Sequence, residues 1–154
     1  MSRPPGAYIA DPTEGIIHPD DLPTPKKQFR SRVRDKCPCP NCQYLARHHG
    51  NRERSLHHLG DPHSGRPIDI TLRYSLHYCC KCKTYFSNNT TDLAPPKSDY
   101  TNAVIELAVR LVVEDGLPYR PASWHLWRDH RVFVPFATIQ NWVEAAGKKN
   151  LFNH

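Results

Sequence analysis

Residues 68–87 read IDITLRYSLHYCCKCKTYFS. Ile68, Ile70, Leu72, Tyr74, Leu76 and Tyr78 alternate strictly with Asp69, Thr71, Arg73, Ser75 and His77. That is the period of a β-strand with one apolar and one polar face. The strand runs straight into Cys79-Cys80-Lys81-Cys82, and a second short strand is expected over Thr84–Ser87. A tight turn between two cysteines separated by two residues aims both sulfurs at one centre, and two such turns supply a tetrahedral zinc site. The partner turn lies upstream as Cys39-Pro40-Asn41-Cys42. Cys37 and Cys80 stand one residue away from a ligand of each pair and are alternative ligands. The set Cys39, Cys42, Cys79 and Cys82 is preferred because both pairs then have the same gap. Phe86, four residues after Cys82, is placed to pack beneath the ion. The pattern is that of a zinc ribbon, built of short antiparallel strands around one structural Zn²⁺.

Composition supports this reading. The chain has 154 residues, enough for one ordinary domain or two very small ones. Apolar residues are 38%, a count that exchanging the seven Tyr for the seven Gly leaves unchanged. Globular domains usually reach about 45–50% on the latter count, so the core is thin. Structural zinc offsets a thin core directly, because its binding energy is folding energy. The N-terminus lacks an apolar signal core and no run of 18 apolar residues occurs, so neither secretion nor a membrane span is expected. Six Cys in such a chain argue for metal over disulfides. The formal charge of +6 points mildly to an anionic partner.

Five parts follow along the chain. Residues 1–36 carry Pro4, Pro5, Pro12, Pro19, Pro23 and Pro25 and are expected to be a disordered tail. It ends in a basic cluster, Lys26, Lys27, Arg30, Arg32, Arg34 and Lys36, opposed only by Asp35. Residues 37–88 form the ribbon. Within them Arg47–Arg66 reads as a solvated loop, whose His48, His49, His57, His58 and His63 offer a second metal site as the alternative. Residues 89–97 are a polar linker closed by a double proline.

Residues 98–147 read as three helices, and 148–154 as a C-terminal tail. Ser98 or Asp99 can cap the first helix. Its Val104, Leu107, Ala108, Leu111 and Val112 share one face, and Gly116 with Pro118 stops it. The second is expected to start near Pro121, with Ala122, Leu126 and Trp127 inward. The third starts near Pro135 and ends at Gly147, with Ile139, Trp142, Val143 and Ala146 inward. The last two helices suggest a helix-turn-helix, whose final helix enters the major groove. Ala137, Gln140, Asn141 and Glu144 would then face outward. Gln140 and Asn141 can bond adenine, and Ala137 and Thr138 can touch a thymine methyl. Lys148, Lys149, Arg30, Arg32 and Arg34 would meet phosphates. Against this stand an even balance of charge over 98–149 and a connection, His130–Pro135, longer than a compact motif needs.

In order, the chain has C-P-N-C, Tyr78-Cys79-x-x-Cys82-x-x-x-Phe86-Ser87, Gly116-Leu117-Pro118-Tyr119-Arg120 and Val134-Pro135-Phe136-Ala137-Thr138-Ile139-Gln140-Asn141-Trp142-Val143. Across residues 37–147 this order resembles the N-terminal region of bacterial and archaeal insertion-sequence transposases of the DDE type. The resemblance implies recognition of transposon-end DNA. Cys39, Cys42, Cys79 and Cys82 match the family's zinc ligands, and Thr138, Ile139, Trp142 and Val143 its recognition helix. Pro135 stands where the family has Ser, and the gap between the two cysteine turns is longer than usual. The family's catalytic domain, with its three metal-binding carboxylates, follows the recognition helix, whereas seven residues follow Gly147 here.

The expectation is therefore a small α+β chain that binds double-stranded DNA and is not itself an enzyme. Its further partner would be a separate catalytic chain or a second copy of itself, with no membrane and no small-molecule substrate. A cytoplasmic, nucleoid-associated location follows. A stand-alone transcriptional regulator and a zinc-stabilised protein-interaction module are the alternatives.

Overall fold

The computed structural model describes the backbone of residues 23–152 and the side chains of residues 23–147. Expectations for residues 1–22, and for the side chains of Lys148 and Lys149, lie outside the described residues. Among the described residues, five strands precede three helices: β1 (Lys26–Arg32), β2 (Lys36–Pro38), β3 (Leu45–His58), β4 (Ile68–Cys79), β5 (Thr84–Ser87), α1 (Asn102–Val113), α2 (Tyr119–His130) and α3 (Phe136–Phe152). The chain is a small α+β fold with one mixed sheet, its strands before its helices. No helix among the described residues is long and apolar enough to cross a membrane.

The long antiparallel hairpin β3–β4 is the spine, paired from Arg47↔Tyr78 to His58↔Ile68. At about 3.3 Å per residue, β3 spans about 45 Å. β1 and β5 share the outer edge of β4. β1 runs parallel to its first half (Lys26↔Ile68 to Arg32↔Tyr74), and β5 antiparallel to its last four residues. β2 pairs with the start of β3.

Burial changes faces along β4. In its first half Ile70 and Leu72 are buried with Leu56, beneath Leu93 and Ala94. In its second half Ser75, His77 and Cys79 are buried instead. The reason is the connection from β1 to β2, which crosses the sheet there. The Arg34 N–H donates to Ser75 Oγ (3.1 Å), and the His48 N–H to the Asp35 carbonyl (2.8 Å).

Two expectations are corrected. The basic stretch assigned to a disordered tail supplies β1 and the first residue of β2, because the free edge of β4 offers backbone partners to Lys26–Arg32. The ladder is consequently not wholly antiparallel. The segment read as a loop, Arg47–Arg66, is mostly β3, and only residues 59–67 make the turn. Its strand signal is hidden because one sheet face at this level is polar and Leu56 is the single fully buried large residue that β3 contributes.

The helices pack around Val104, Ala108 and Leu111 of α1, Ala122 and Leu126 of α2, and Ile139 of α3, with Val132 and Val134 from the α2–α3 connection. The positions from α1, α2 and α3 are inward ones expected from periodicity, and Trp127 is also buried, against Trp124 and Phe133. Gly116 takes the left-handed conformation (φ 71°) that closes α1. The bounds of α2 and α3 differ from expectation. α2 begins at Tyr119, so Pro121 lies inside its first turn, where a missing N–H costs nothing. α3 continues through Gly147 to Phe152, which overrides that glycine as a stop.

The helical unit docks on the turn end of the hairpin. The His57 N–H donates to the Asp99 carbonyl (2.7 Å), and the Gly60 N–H to the His130 carbonyl (2.6 Å). A Cβ on Gly60 would lie 2.4 Å from Arg131 Cβ and 2.9 Å from two carbonyls, so only glycine permits this approach. The N-cap of α1 is Thr101 and not Ser98 or Asp99. The Thr101 hydroxyl makes no cap bond and instead meets His58 Nδ1 at 2.8 Å.

Burial, helped by the Arg30 charge, holds His58 below the usual imidazole range. The folded state thus prefers neutral His58. Its contribution is complete above about pH 6.5 and is lost as pH falls through the lowered folded value. Urea unfolding between pH 7.5 and 5 should show a loss of stability that His58→Gln reduces; an identical slope in the variant would refute the assignment. Amides of Lys26–Arg32 that bond β4 should exchange slowly with solvent, like their β4 partners, whereas exchange at the rate of an unstructured chain would rule out β1.

Candidate metal centre

Cys39 follows β2, and Cys79 ends β4, so the sheet carries both Cys-x-x-Cys turns to one end of the hairpin. The turns are built alike. The Gln43 N–H donates to the Cys39 carbonyl (2.9 Å), and the Lys83 N–H to the Cys79 carbonyl (2.7 Å). Gln43 and Lys83 both take left-handed conformations (φ 65° and 56°), which reverse the chain just past the second cysteine.

The sulfurs of Cys39, Cys42, Cys79 and Cys82 all lie within 4.8 Å of one another. The closest approaches cross between the turns: Cys39 to Cys82 is 3.9 Å, and Cys42 to Cys79 is 3.5 Å. A disulfide would need about 2.05 Å. A tetrahedron with metal–sulfur bonds of about 2.3 Å has edges of about 3.8 Å, so the four donors fit one ion. The group could hold a metal, and four protein ligands would close its coordination sphere. Ala46 is buried against Cys39 and Cys79, and Phe86 packs on the cluster as its place in the sequence predicted.

The thiols are unequal. Backbone donation from Asn41 brings Cys39 down to about 7, with Cys42, Cys79 and the Cys42 N–H assisting against burial. Hydrogen bonding to Cys42, then burial, pushes Cys82 up to about 12. Without an ion the cluster therefore resists full ionisation, whereas metal binding needs thiolates and releases their protons.

The two alternative ligands are used elsewhere. The Cys37 thiol donates to Asn88 Oδ1 (3.6 Å), and Asn88 Nδ2 donates to the Arg32 carbonyl (2.8 Å), which fastens the crossing connection to the sheet. Cys80 is exposed and faces Tyr44, whose hydroxyl it pushes above the usual phenol range. Lys81 lies over the same ring at 4.9 Å. The histidines do not gather. His48 bonds Asn51, His57 bonds Asp69 and His58 bonds Thr101. Among the described residues, no second group of metal-ligating side chains converges.

The expected DNA-contacting residues lie on two separate elements. Ala137 and Asn141 are exposed on α3, with Glu144; Thr138 and Gln140 are half-buried. Gln140 Nε2 donates to Glu144 Oε1 (3.1 Å). Ile139 is buried, and Trp142 and Val143 pack on the helical core. The Pro135 carbonyl receives the Thr138 and Ile139 N–H groups and so starts the helix without a side-chain cap. Arg30, Arg32 and Arg34 belong to β1 and the connection after it. Arg32 is held by Asp92 (2.9 Å), and Arg30 donates to Gln28 (3.3 Å). Sequence reading missed Ser75, His77 and Asn88 as structural polar groups, since alternation alone places Ser75 and His77 on the wet face. Ser75 Oγ lies 2.7 Å from His77 Nε2, and both are fully buried.

Purified chain should carry one thiolate-bound divalent ion. Cys42→Ser or Cys79→Ser should abolish or sharply weaken its binding in native mass spectrometry, while Cys37→Ser and Cys80→Ser retain one ion per chain. Retention in the first pair, or loss in the second, would reassign the ligands. Comparison with family models, with curated proteins and with solved structures finds no match to this chain.

Proposed function

We propose that the chain is a sequence-specific DNA-binding module of transposase type, in which Cys39, Cys42, Cys79 and Cys82 hold a structural Zn²⁺ and α3 is the recognition helix of a helix-turn-helix. The observation that carries this reading is the division of α3. Ile139, Trp142 and Val143 anchor it, while Ala137, Asn141 and Glu144 face solvent in its N-terminal half. A helix held by one face and bearing short polar side chains on the other suits insertion into a major groove. Zinc is the reading for the ion because four thiolates in a closed tetrahedral set are its characteristic structural site. Such an ion is worth about 10–16 kcal/mol of apparent binding energy, against a sheet end with very little apolar core. The order of the cysteine turns and the helical unit supports the transposase-like assignment, with transposon-end DNA as the target. The reading gives the chain no catalytic step.

Phosphate contact falls to Arg30 and Arg34, and to Lys148 and Lys149. Arg32 serves the fold first, through Asp92. A second reading, a protein-interaction module, is favoured by the exposed Trp124, Phe133 and Phe136 around the α2–α3 connection. That connection has five residues between His130 and Phe136, more than a compact motif uses.

Selection from a random duplex library, followed by salt titration, separates the two. Asn141→Ala should erode discrimination between sequences by about 1–3 kcal/mol at the affected base pair. Arg34→Ala should weaken all duplexes alike and reduce the salt slope by about 1. No enrichment of any sequence, or equal effects of both changes, would overturn the DNA reading.

A further inference from the structure

The cysteine-bearing end of the sheet has a second face. His77 and Phe86 lie together on the cluster side, paired across β4 and β5. On the opposite side the register sets Lys36, Arg47, Tyr78 and Tyr85 in one row across β2, β3, β4 and β5. Tyr85 is 64% exposed, and Lys36 and Arg47 are exposed beside it. The Tyr78 and Tyr85 rings are 4.8 Å apart, and the His49 ring lies 4.8 Å from Tyr85. His49 reaches this position because it is the extra residue where the register shifts between His48 and Gly50. Farther along the same face, Arg52 pairs with Tyr74. From Tyr78 to Tyr74 the strand covers about 13 Å.

The charged residues at the paired positions of this face are basic. Among the described residues, no ion pair and no side-chain hydrogen bond engages Lys36, Arg47 or Arg52. The paired positions between the Lys36 row and the Arg52 row hold no Asp or Glu; Asp35, an exposed acid just before β2, lies beside them, with its carbonyl accepting the His48 N–H. Asp92, on the covering segment beyond, is held by Arg32. The ligand that complements such a face has negative charges at regular intervals and flat apolar surfaces between them.

We infer that this sheet face binds single-stranded DNA, through stacking of unpaired bases on Tyr85, Tyr78 and His49 and phosphate contacts from Lys36, Arg47 and Arg52. A base that is out of the duplex presents its π-face, and stacking on an exposed ring is tolerant of sequence. A duplex keeps those faces inside and meets a protein with phosphates and groove edges, to which rings lying on a sheet add little. The surface is at the opposite end of the hairpin from the helical unit and does not depend on the role of α3.

Fluorescence anisotropy with labelled oligothymidylate and with a blunt duplex tests this, using the full metal-loaded chain. Tyr85→Ala should weaken oligothymidylate binding about ten-fold, and Tyr85→Phe should restore it. Arg47→Ala should reduce the logarithmic salt slope for the single strand by about 0.7. Duplex affinity should not change in these variants, whereas Asn141→Ala should affect the duplex and spare the single strand. Native mass spectrometry verifies that each variant keeps its ion. The inference fails if the chain does not bind oligothymidylate, or binds it equally well in the Tyr85→Ala and Arg47→Ala variants. It also fails if Tyr85→Ala weakens single strand and duplex alike. Loss of duplex binding alone would sink the α3 reading and leave this one standing.

Discussion

The meeting of Cys39 with Cys82 and of Cys42 with Cys79 is the constraint from which the sheet end takes its shape. Ala46 and Phe86 are almost all the apolar material packed there, too little to hold two turns and four strand ends in place. A shared ion, which these four thiols could hold, would remove their mutual resistance to ionise and convert four weak contacts into one closed centre. Residues that do not touch the sulfurs depend on it too. The β1–β2 connection is secured to Ser75 and Asn88 only if Cys79 and β5 stay where the turns place them.

The opposite end of the hairpin is held differently. Its joint with the helices is made of backbone hydrogen bonds, a glycine approach and the His58–Thr101 contact, with Leu59 inserted into the helical core. These are directional interactions of modest individual worth, but they fix the orientation of α1 and through it of α3. The spine therefore has a cysteine-clustered end that could hold a metal and a titratable end, and the stiff ladder between them links the two.

The parts most legible in the sequence were those set by a repeat or a fixed spacing. β4 and the inward faces of all three helices follow from the alternation of Ile68–Tyr78 and from the periodicity of residues such as Val104, Ala108 and Leu111. The four clustered cysteines follow from equal gaps in the two turns. What was hidden depends on pairing and not on composition. β1 is a polar, basic stretch that becomes a strand only because an edge of β4 is open to it. β3 is rich in arginine and histidine and is a strand because β4 is opposite. Thr101 forgoes its capping role for a partner 43 residues away, which no local pattern records.

The exchange of buried faces along β4 has a consequence for how this chain can vary. Leu72 looks one way into a small apolar layer, and Ser75 looks the other way into a polar one. An inserted or deleted residue anywhere in the strand would turn one half inside out while leaving the other correct, since side chains alternate with a period of two. Neither half could be rescued by sliding against β3, because the slide that repairs one spoils the other. Length in this strand is thus the least negotiable quantity in the chain, and any drift in size among its descendants belongs in the turn at residues 59–67.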